Sequence, residues 1–292
     1  MSYVVLITGV TSGIGEATAR RLADLPDVQL VLVARREDRL HALAAELPGN
    51  PTVIIADLTD PAAAALIAET VEREHGALNL LVNNAGARWS AAFADGGWEN
   101  VERHMRINFE APVRLIEALL PLLRRTASAA SAAAAADPTA DTETAGVLRA
   151  AGQRTSSSAA PVAIVNVSST SGRVSRKGVG GYSASKFAFA GWNDALALEL
   201  EPDGVHVGLV LPGFIATEGF PQAELRAKRK TRWMVADVSV VVDAILETGP
   251  GGKPERYAPR YYWLIAALRV LAPRLSRRQM TRGAFNTTTK SR

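Results

Sequence analysis

Six short runs of mostly apolar residues recur along the first 211 residues, and segments with apolar residues at helical spacing separate them. The runs lie at residues 3–7, 28–33, 53–56, 78–82, 162–167 and 205–211. They are continuous rather than alternating, as in strands that helices cover on both faces. Helices are predicted over residues 14–25, 36–47, 61–75, 98–125 and 180–200. The alternation predicts an α/β protein with a three-layer doubly wound fold and a central parallel sheet, whose ligands bind at the carboxyl ends of the strands.

Residues 127–160 depart from this pattern, because Ala, Ser, Thr, Gly and Asp dominate them and the only sizeable apolar residues are Val147 and Leu148. Such a segment buries too little surface to offset its ordering entropy, so it is predicted to be a mobile insertion. Its alanines favour transient helix, which Pro138 and Gly146 interrupt. The predicted organisation is one domain over residues 1–256, carrying this insertion, followed by a C-terminal segment over residues 257–292.

The C-terminal segment begins with an apolar stretch between prolines, at residues 257–273, that is too short to cross a membrane. We expect an amphipathic helix that packs on the body or on a partner subunit. Peripheral attachment to anionic lipid is the alternative, because seven basic and no acidic residues lie between positions 269 and 292. The rest of the chain is mildly acidic, so the basic end does not predict nucleic-acid binding.

Several classes of protein are disfavoured by composition. The chain has no cysteine, which excludes disulfides and thiolate catalysis and suits a cytoplasmic location. The four histidines lie far apart, so no metal site is expected. No G-x-S-x-G elbow of a serine hydrolase and no G-x-x-x-x-G-K-[ST] loop of a nucleoside triphosphatase is present.

A glycine-rich loop, T-G-V-T-S-G-I-G, spans residues 8–15 between the first predicted strand and helix. Glycines allow the backbone to approach a pyrophosphate closely, and the helix N-terminus supplies N–H donors. The spacing is G-x-x-x-G-x-G, and a plain strand-to-helix turn is the alternative interpretation.

The second predicted strand ends in Ala34-Arg35-Arg36. Folds that bind NAD usually place an acidic residue here for the ribose 2′-hydroxyl, whereas an arginine accommodates the 2′-phosphate of NADP. Arg35 offers the charge-assisted contacts that a phosphate needs, so NADP(H) is the preferred cofactor and NAD(H) is possible. The alternative is that both arginines belong to a solvated helix start.

The third and fourth predicted strands end in further candidate cofactor contacts. Asp57 stands where a carboxylate could accept hydrogen bonds from adenine, although an Asp in the loop before a helix is nearly as good an interpretation. Asn84, Ala85 and Gly86 are small enough to lie against a cofactor, or form an Asn-rich turn.

Tyr182 and Lys186 lie four residues apart at the start of a predicted helix, which places them on one face. A nearby ammonium group is expected to lower the pKa of the phenol, as general acid–base catalysis requires. Ser169, at the end of the fifth predicted strand, could hydrogen-bond the same substrate oxygen. A Tyr-x-x-x-Lys pair alone is usually structural, and the preceding serine pair makes it specific.

These elements together resemble the short-chain dehydrogenase/reductase family, with a Rossmann fold, over residues 3–248. The matching motifs are T-G-x-x-x-G-I-G at 8–15, N-N-A-G at 83–86, Ser169, Tyr182-x-x-x-Lys186 and P-G-x-x-x-T at 212–217. The resemblance implies that Tyr182 is the acid/base, that Lys186 lowers its pKa and binds the nicotinamide ribose, and that Ser169 rather than Ser168 orients the substrate. Asn108 would hold a proton-relay water. The implied cofactor-binding residues are Gly9, Thr11, Ser12, Gly13, Ile14, Gly15, Arg35, Arg36, Asp57, Leu58, Asn84, Ala85, Gly86, Tyr182, Lys186, Pro212, Ile215 and Thr217.

The expected activity is interconversion of a carbonyl and an alcohol by hydride transfer with NADP(H). The alternative is a catalytically silent sensor or scaffold of the same fold. A largely apolar substrate is expected from five candidate pocket residues: Trp89, Phe93, Phe214, Phe220 and Trp233. The basic segment 218–233 takes the place of the family's variable substrate lid, where a solvated helix face is favoured over a contact to an anionic substrate. A homodimer or homotetramer is expected because oligomers are usual in this family.

Overall fold

The computed structural model describes residues 2–136, 160–218, 227 and 232–281. The strands are β1 (Tyr3–Thr8), β2 (Val28–Ala34), β3 (Thr52–Ile55), β4 (Leu80–Asn83), β5 (Ala163–Val167), β6 (His206–Pro212), β7 (Phe214–Ile215), β8 (Val235–Ala236) and β9 (Glu255–Ala258). Seven of them form one parallel sheet in the order β3-β2-β1-β4-β5-β6-β9, and β7 pairs with β8 outside it. The chain order reverses between β1 and β4, where a doubly wound sheet opens a crevice for a ligand.

Helices cover both faces of this sheet, as the continuous apolar strands require. They are α1 (Gly13–Ala23), α2 (Glu37–Glu46), α3 (Ala63–His75), α4 (Phe93–Met105), α5 (Ala111–Ala136), α6 (Gly180–Leu200), α7 (Ser239–Thr248), α8 (Trp263–Leu271) and α9 (Pro273–Thr281). Every residue of β1 is buried, and two apolar cores form on the opposite faces of the sheet. The three-layer doubly wound fold expected from the sequence is confirmed.

The helix predicted over residues 98–125 is longer at both ends and is not uniform. A non-helical Gly97 separates the first turn of α4 from the remainder, and a π-helical segment, Arg106–Glu110, joins α4 to α5. Helix α5 then continues to Ala136, so the prediction of a mobile insertion from residue 127 is wrong for its first ten residues. Alanine has the highest helix propensity, which lets an established helix propagate without burying much surface. Residues 137–159 lie outside the described part of the chain.

The end of the chain contains elements that the apolar pattern did not indicate. Strand β9 pairs with β6 and spans the predicted domain boundary after residue 256. Helix α7 packs under the same edge of the sheet, with Ile245 fully buried. The predicted C-terminal helix is present as α8, but none of its residues is buried and Leu271 is 83% exposed. In the described part of the chain, no helix combines the length and apolarity needed to span a bilayer.

Candidate active site

A cavity of about 820 Å³ opens at the carboxyl ends of the strands. It reaches from the glycine loop after β1, past the turn after β4, to Ser169, Tyr182 and Lys186. Nearly all of the site residues predicted from the sequence line it, including those from the last two motifs, such as Asn108, Pro212, Ile215 and Thr217. Gly15 and Asp57 are the two predicted residues that do not line it.

The glycine loop and the turn after β4 are fastened together at the middle of the cavity. The Thr8 hydroxyl accepts hydrogen bonds from the backbone N–H groups of Asn84 and Ala85, at 3.1 and 3.0 Å. The side chain of Asn84 donates in return to the carbonyls of Thr8 and Gly9, at 2.9 and 3.2 Å. The asparagine side chain thus fixes the floor of the cavity, and its contact to a cofactor stays a prediction.

Glycine is required at two positions of this floor. Gly9 has a φ of +71°, and a Cβ there would lie 2.8 Å from the Cα of Ala85. A Cβ on Gly15 would lie 2.4 Å from the Gly9 carbonyl oxygen. Gly15 therefore packs the helix against the loop and does not line the cavity, as a cofactor contact was expected to do, while α1 begins at Gly13 with its N-terminus at the cavity.

The two arginines after β2 both line the cavity and have different partners. Arg36 donates to the carbonyl and hydroxyl oxygens of Thr11, each at 2.9 Å from Nη2, and so braces the glycine loop. Arg35 is 66% exposed and its Nη1 lies 3.4 Å from a carboxylate oxygen of Asp57. Burial acts to raise the pKa of Asp57, but hydrogen bonds from Thr59 and the charge of Arg35 outweigh it and lower the pKa. The carboxylate of Asp57 is thus turned towards Thr59 and Arg35, and its contact to adenine stays a prediction.

Ser169 and Ser168 follow β5, and their contacts separate their roles. Ser168 is held by the framework, since its hydroxyl donates to the Lys186 carbonyl at 3.1 Å. The side chain of Ser169 hydrogen-bonds the Tyr182 phenol and also accepts from the Ser171 N–H at 3.1 Å. The geometry therefore joins Ser169, and not its neighbour, to Tyr182.

Lys186 is buried on the next turn of α6, and its ammonium group donates to the Val167 carbonyl at 2.9 Å. Burial lowers the pKa of Lys186 to about 8. Desolvation also raises the pKa of Tyr182, which hydrogen bonding by Ser169 and the charges of Arg88 and Arg176 only partly offset. The ammonium group of Lys186 is directed at a strand carbonyl, and its expected role in lowering the pKa of Tyr182 stays a prediction.

Asn108 lies in the π-helical segment between α4 and α5 and is fully buried. Its amide exchanges two hydrogen bonds with the backbone of Ala87, at 2.9 and 3.0 Å, and donates to the Ser185 hydroxyl at 3.2 Å. A Cβ on Gly86 would lie 2.7 Å from the Asn108 oxygen and 3.7 Å from the Lys186 nitrogen. Because Gly86 has no side chain, the side chains of Asn108 and Lys186 can both lie close to its backbone. π-Helical insertions are frequent at functional sites.

The expected apolar pocket is only partly present. Trp89 and Phe214 line the cavity, whereas Phe93 is 78% exposed at the start of α4. Trp233 packs on Tyr261 instead, with ring centres 5.6 Å apart, and Phe220 lies outside the described residues. The predicted lid begins at Glu218, which pairs with Arg39 at 3.0 Å, and most of its remainder is also outside the described residues.

Sequence reasoning missed four arginines that line the cavity: Arg88, Arg103, Arg106 and Arg176. It also gave no role to three buried asparagines that hydrogen-bond in a row, Asn83, Asn166 and Asn193. Asn83 ends β4, Asn166 is the last residue but one of β5, and the register pairs the two. A signal for the arginines was present in the basic loop before Tyr182, but arginines spaced along a loop are ordinarily solvated.

The residues of the cavity fit a nicotinamide adenine dinucleotide cofactor. Loop backbone and a helix N-terminus meet where a pyrophosphate binds, and the positions of Gly9 and Gly15 leave no room for side chains. Arg35 and Arg36, the first two residues after β2, both line the cavity where a ribose 2′-phosphate would lie.

The sequence model described as short chain dehydrogenase matches residues 3–133 and 140–228. The chain is 31% identical over 223 residues to dehydrogenase/reductase SDR family member 7B of Bos taurus, covering 73% of this chain but 58% of that protein. It is 29% identical over 284 residues to a fatty acyl-CoA reductase of Mycobacterium tuberculosis, covering 92% of this chain and 81% of that protein. A short chain dehydrogenase from Burkholderia cenocepacia, solved in complex with NADP, has the same fold, with a TM-score of 0.71 at 21% identity over 96% of this chain and 97% of that one. By sequence and by fold, the chain belongs to the short-chain dehydrogenase family.

Proposed function

We propose that this chain is an NADP(H)-dependent oxidoreductase that interconverts a carbonyl compound and its primary or secondary alcohol. The observation that carries the proposal is the convergence of Ser169, Tyr182, Lys186 and Asn108 at one end of a cavity whose other end is the glycine loop. Family membership and the NADP complex of a protein with the same fold support it. The bound cofactor supplies or accepts the hydride.

Tyr182 is the group that gives a proton to the substrate oxygen during reduction and removes it during oxidation. Ser169 hydrogen-bonds the phenol, so a carbonyl oxygen placed between the two hydroxyls would be held and polarised. Because burial raises the pKa of Tyr182, the phenol stays protonated near neutral pH, which favours reduction. Oxidation requires the phenolate and is therefore expected to accelerate as the pH rises.

Lys186 holds positive charge at the floor of the site. With a pKa of about 8 it is mainly protonated at pH 7, and the hydrogen bond to Val167 aims it beside Gly86. Its remaining protons are available to the hydroxyls of a nicotinamide ribose. Asn108 fixes the backbone of Ala87 and so sets the shape of the adjoining turn.

Replacing Tyr182 by Phe tests this assignment, because it removes the acidic proton and keeps the ring. We expect kcat/KM to fall by about 10²–10⁴-fold, the usual contribution of general acid–base catalysis, with NADPH affinity little changed. Turnover is followed as NADPH oxidation against a panel of ketones, aldehydes, steroids and acyl thioesters, and affinity by NADPH fluorescence. Unchanged turnover of the variant on an active substrate would show that another group moves the proton.

The silent sensor or scaffold is the second reading of the same fold, and the panel separates it from an enzyme. A wild-type chain that binds NADPH tightly but oxidises it with no member of the panel would favour the sensor.

A further inference from the structure

Helix α8 exposes its largest apolar side chains instead of burying them. Val270 and Leu271 are 72% and 83% exposed, and Trp263 and Leu264 are each more than half exposed. At 3.6 residues per turn, these four side chains lie within about 120° of one another around the helix axis. They form one stripe, which we call the apolar face of α8.

The opposite side of α8 faces the body of the protein. Arg269 lies on that side, and its guanidinium carbon is 5.1 Å from the centre of the Phe187 ring on α6. Helix α9 packs against α8, with Ser276 buried and its N–H group donating to the Ala272 carbonyl at 3.0 Å. Because these contacts fix the inner side of α8, the apolar face is held outwards.

Exposed aromatic rings lie directly before α8. Trp233 is 57% exposed and its ring centre lies 5.6 Å from that of Tyr261, whose hydroxyl donates to the Trp233 carbonyl at 2.7 Å. Tyr261 stacks on Tyr262, which meets Phe214 of the cavity wall with ring centres 6.4 Å apart. Exposed Trp and Tyr side chains are typical of surfaces that contact lipid headgroups, because one end of each ring system is apolar and the other is polar.

The residues that follow the apolar face are basic. Arg274 and Arg277 are exposed and lie one helical turn apart on α9. Arg260 is not counted with them, because it pairs with Glu247. No Asp or Glu follows Glu255 in the sequence, so this end of the chain has no acidic residue of its own.

Charge decides between the partners that could cover such a surface. A second copy of the chain would bring the arginines of two α9 helices together without any acidic residue from the same segment, and like charges repel. An anionic bilayer supplies the opposite charge at its phosphates and takes up apolar side chains beneath them. With nine residues α8 is about 14 Å long, so it could lie along a bilayer but not cross one.

We infer that the protein binds peripherally to an anionic bilayer, with the apolar face of α8 among the lipid headgroups and with Arg274 and Arg277 against lipid phosphates. This is the second of the two interpretations that the sequence leaves open for the C-terminal segment. The inference does not depend on the proposed oxidoreductase function, so the failure of either one leaves the other standing.

Cosedimentation of the full chain with lipid vesicles tests the inference. Vesicles of phosphatidylcholine alone are compared with vesicles that also contain about 30% phosphatidylglycerol. We expect the anionic vesicles to bind about 10–30-fold more tightly, because each arginine near the surface contributes about fivefold. The difference should shrink as salt rises from about 50 mM to about 500 mM, since salt screens the attraction.

Leu264→Gln tests the apolar face. We expect binding to the anionic vesicles to weaken about 5–20-fold, because a leucine side chain that enters the bilayer is replaced by an amide. Leu66→Gln on α3 is the matched control, since Leu66 is 50% exposed against 54% for Leu264, and it should bind within about twofold of the wild type. Circular dichroism shows whether each variant keeps its fold.

The double variant Arg274→Gln/Arg277→Gln tests the charges. We expect its preference for anionic vesicles to fall to less than threefold, while weak binding to phosphatidylcholine is unchanged. Arg73→Gln/Arg114→Gln is the control with the same change in net charge, because both arginines are exposed on α3 and α5, and it should keep the preference.

Three results would overturn the inference: no binding of the wild type to the anionic vesicles, equal binding to both kinds of vesicle, or an equal loss in the variants and their controls. Light scattering identifies the alternative partner. If the wild type binds no vesicles and Leu264→Gln lowers the molar mass of the soluble protein, a second copy covers the apolar face of α8.

Discussion

Single side chains in the site show how desolvation competes with charge. Lys186 is buried, its ammonium group faces the Val167 carbonyl, and its pKa falls to about 8. The phenol of Tyr182 is half-buried in the cavity wall, and burial raises its pKa. A four-residue spacing places two residues on one helix face, but it carries no information about the solvation of either group. The pH dependence of the two reaction directions follows from that solvation.

We expect the choice between NADPH and NADH to depend on Arg35. Replacing it by Ala is expected to weaken NADPH binding about 10–100-fold and to leave NADH binding within about threefold, because only NADPH has a 2′-phosphate for the guanidinium to bind. Fluorescence titration with each cofactor measures both affinities. Arg73→Ala is the matched control, since Arg73 is 67% exposed, close to the 66% of Arg35, and pairs with Glu74 away from the cavity. Equal loss for both cofactors would remove the basis for preferring NADP.

At the scale of elements, close contacts between helices and strands hold the sheet edge under the site. Strand β6 carries Pro212 into the cavity and is covered by α7. A Cβ on Gly208, in the middle of β6, would lie 2.4 Å from the Thr248 carbonyl oxygen at the end of α7. The absence of a side chain therefore sets how closely this helix approaches the sheet.

Gly208→Ala is expected to lower the free energy of unfolding by about 2–4 kcal/mol, because the buried backbone of Thr248 must move to make room. Gly191→Ala on α6 is the control: a Cβ there meets nothing within 4 Å, and the exposed helical position should gain about 0.5–1 kcal/mol. Urea unfolding followed by circular dichroism measures both changes. Equal free energies of unfolding for the two variants would show that α7 can move away from β6 without loss of stability.

At the scale of the whole molecule, one carboxylate joins the last helix of the sandwich to the last strand and the C-terminal elements. Glu247 on α7 accepts hydrogen bonds from Arg256 on β9 at 2.7 and 3.0 Å, from Lys253 in the connecting loop, and from Arg260 at 3.4 Å. Burial acts to raise the pKa of Glu247, but the hydrogen bonds of Arg256 and Lys253 outweigh it and lower the pKa to about 2.

A carboxyl group with a lowered pKa stabilises the fold at pH values above its unfolded pKa of 4.5, and this stabilisation is lost as the pH falls towards about 2. Glu247→Gln should therefore cost about 1–2 kcal/mol at pH 7, less than the full shift because solvent screens the exposed partners, and progressively less below pH 4.5. Urea unfolding across pH 3–7 measures the difference from wild type. The control Glu46→Gln, an exposed residue paired with Arg20, should change stability by less than about 0.5 kcal/mol. A deficit that does not depend on pH would rule out an electrostatic cause.

The parallel strands at the centre of the sheet, the glycine loop and the Ser169–Tyr182–Lys186 set were all predictable from the sequence alone. The reason is that buried strands are continuous apolar runs and that phosphate loops and helical pairs are local patterns. Strand β9 was not predicted because it is short, lies at the edge of the sheet and contains charged residues. The continuation of α5 to Ala136 was not predicted because the helix propagates there without burying much apolar surface. Only the tertiary structure brought Arg88 and Arg176, which are 88 residues apart in the chain, to the cavity that Tyr182 also lines, and only it fixed the solvation of that phenol. The solvation of a site and the charges near it depend on all the elements that surround it, so a local sequence pattern cannot predict their combined effect.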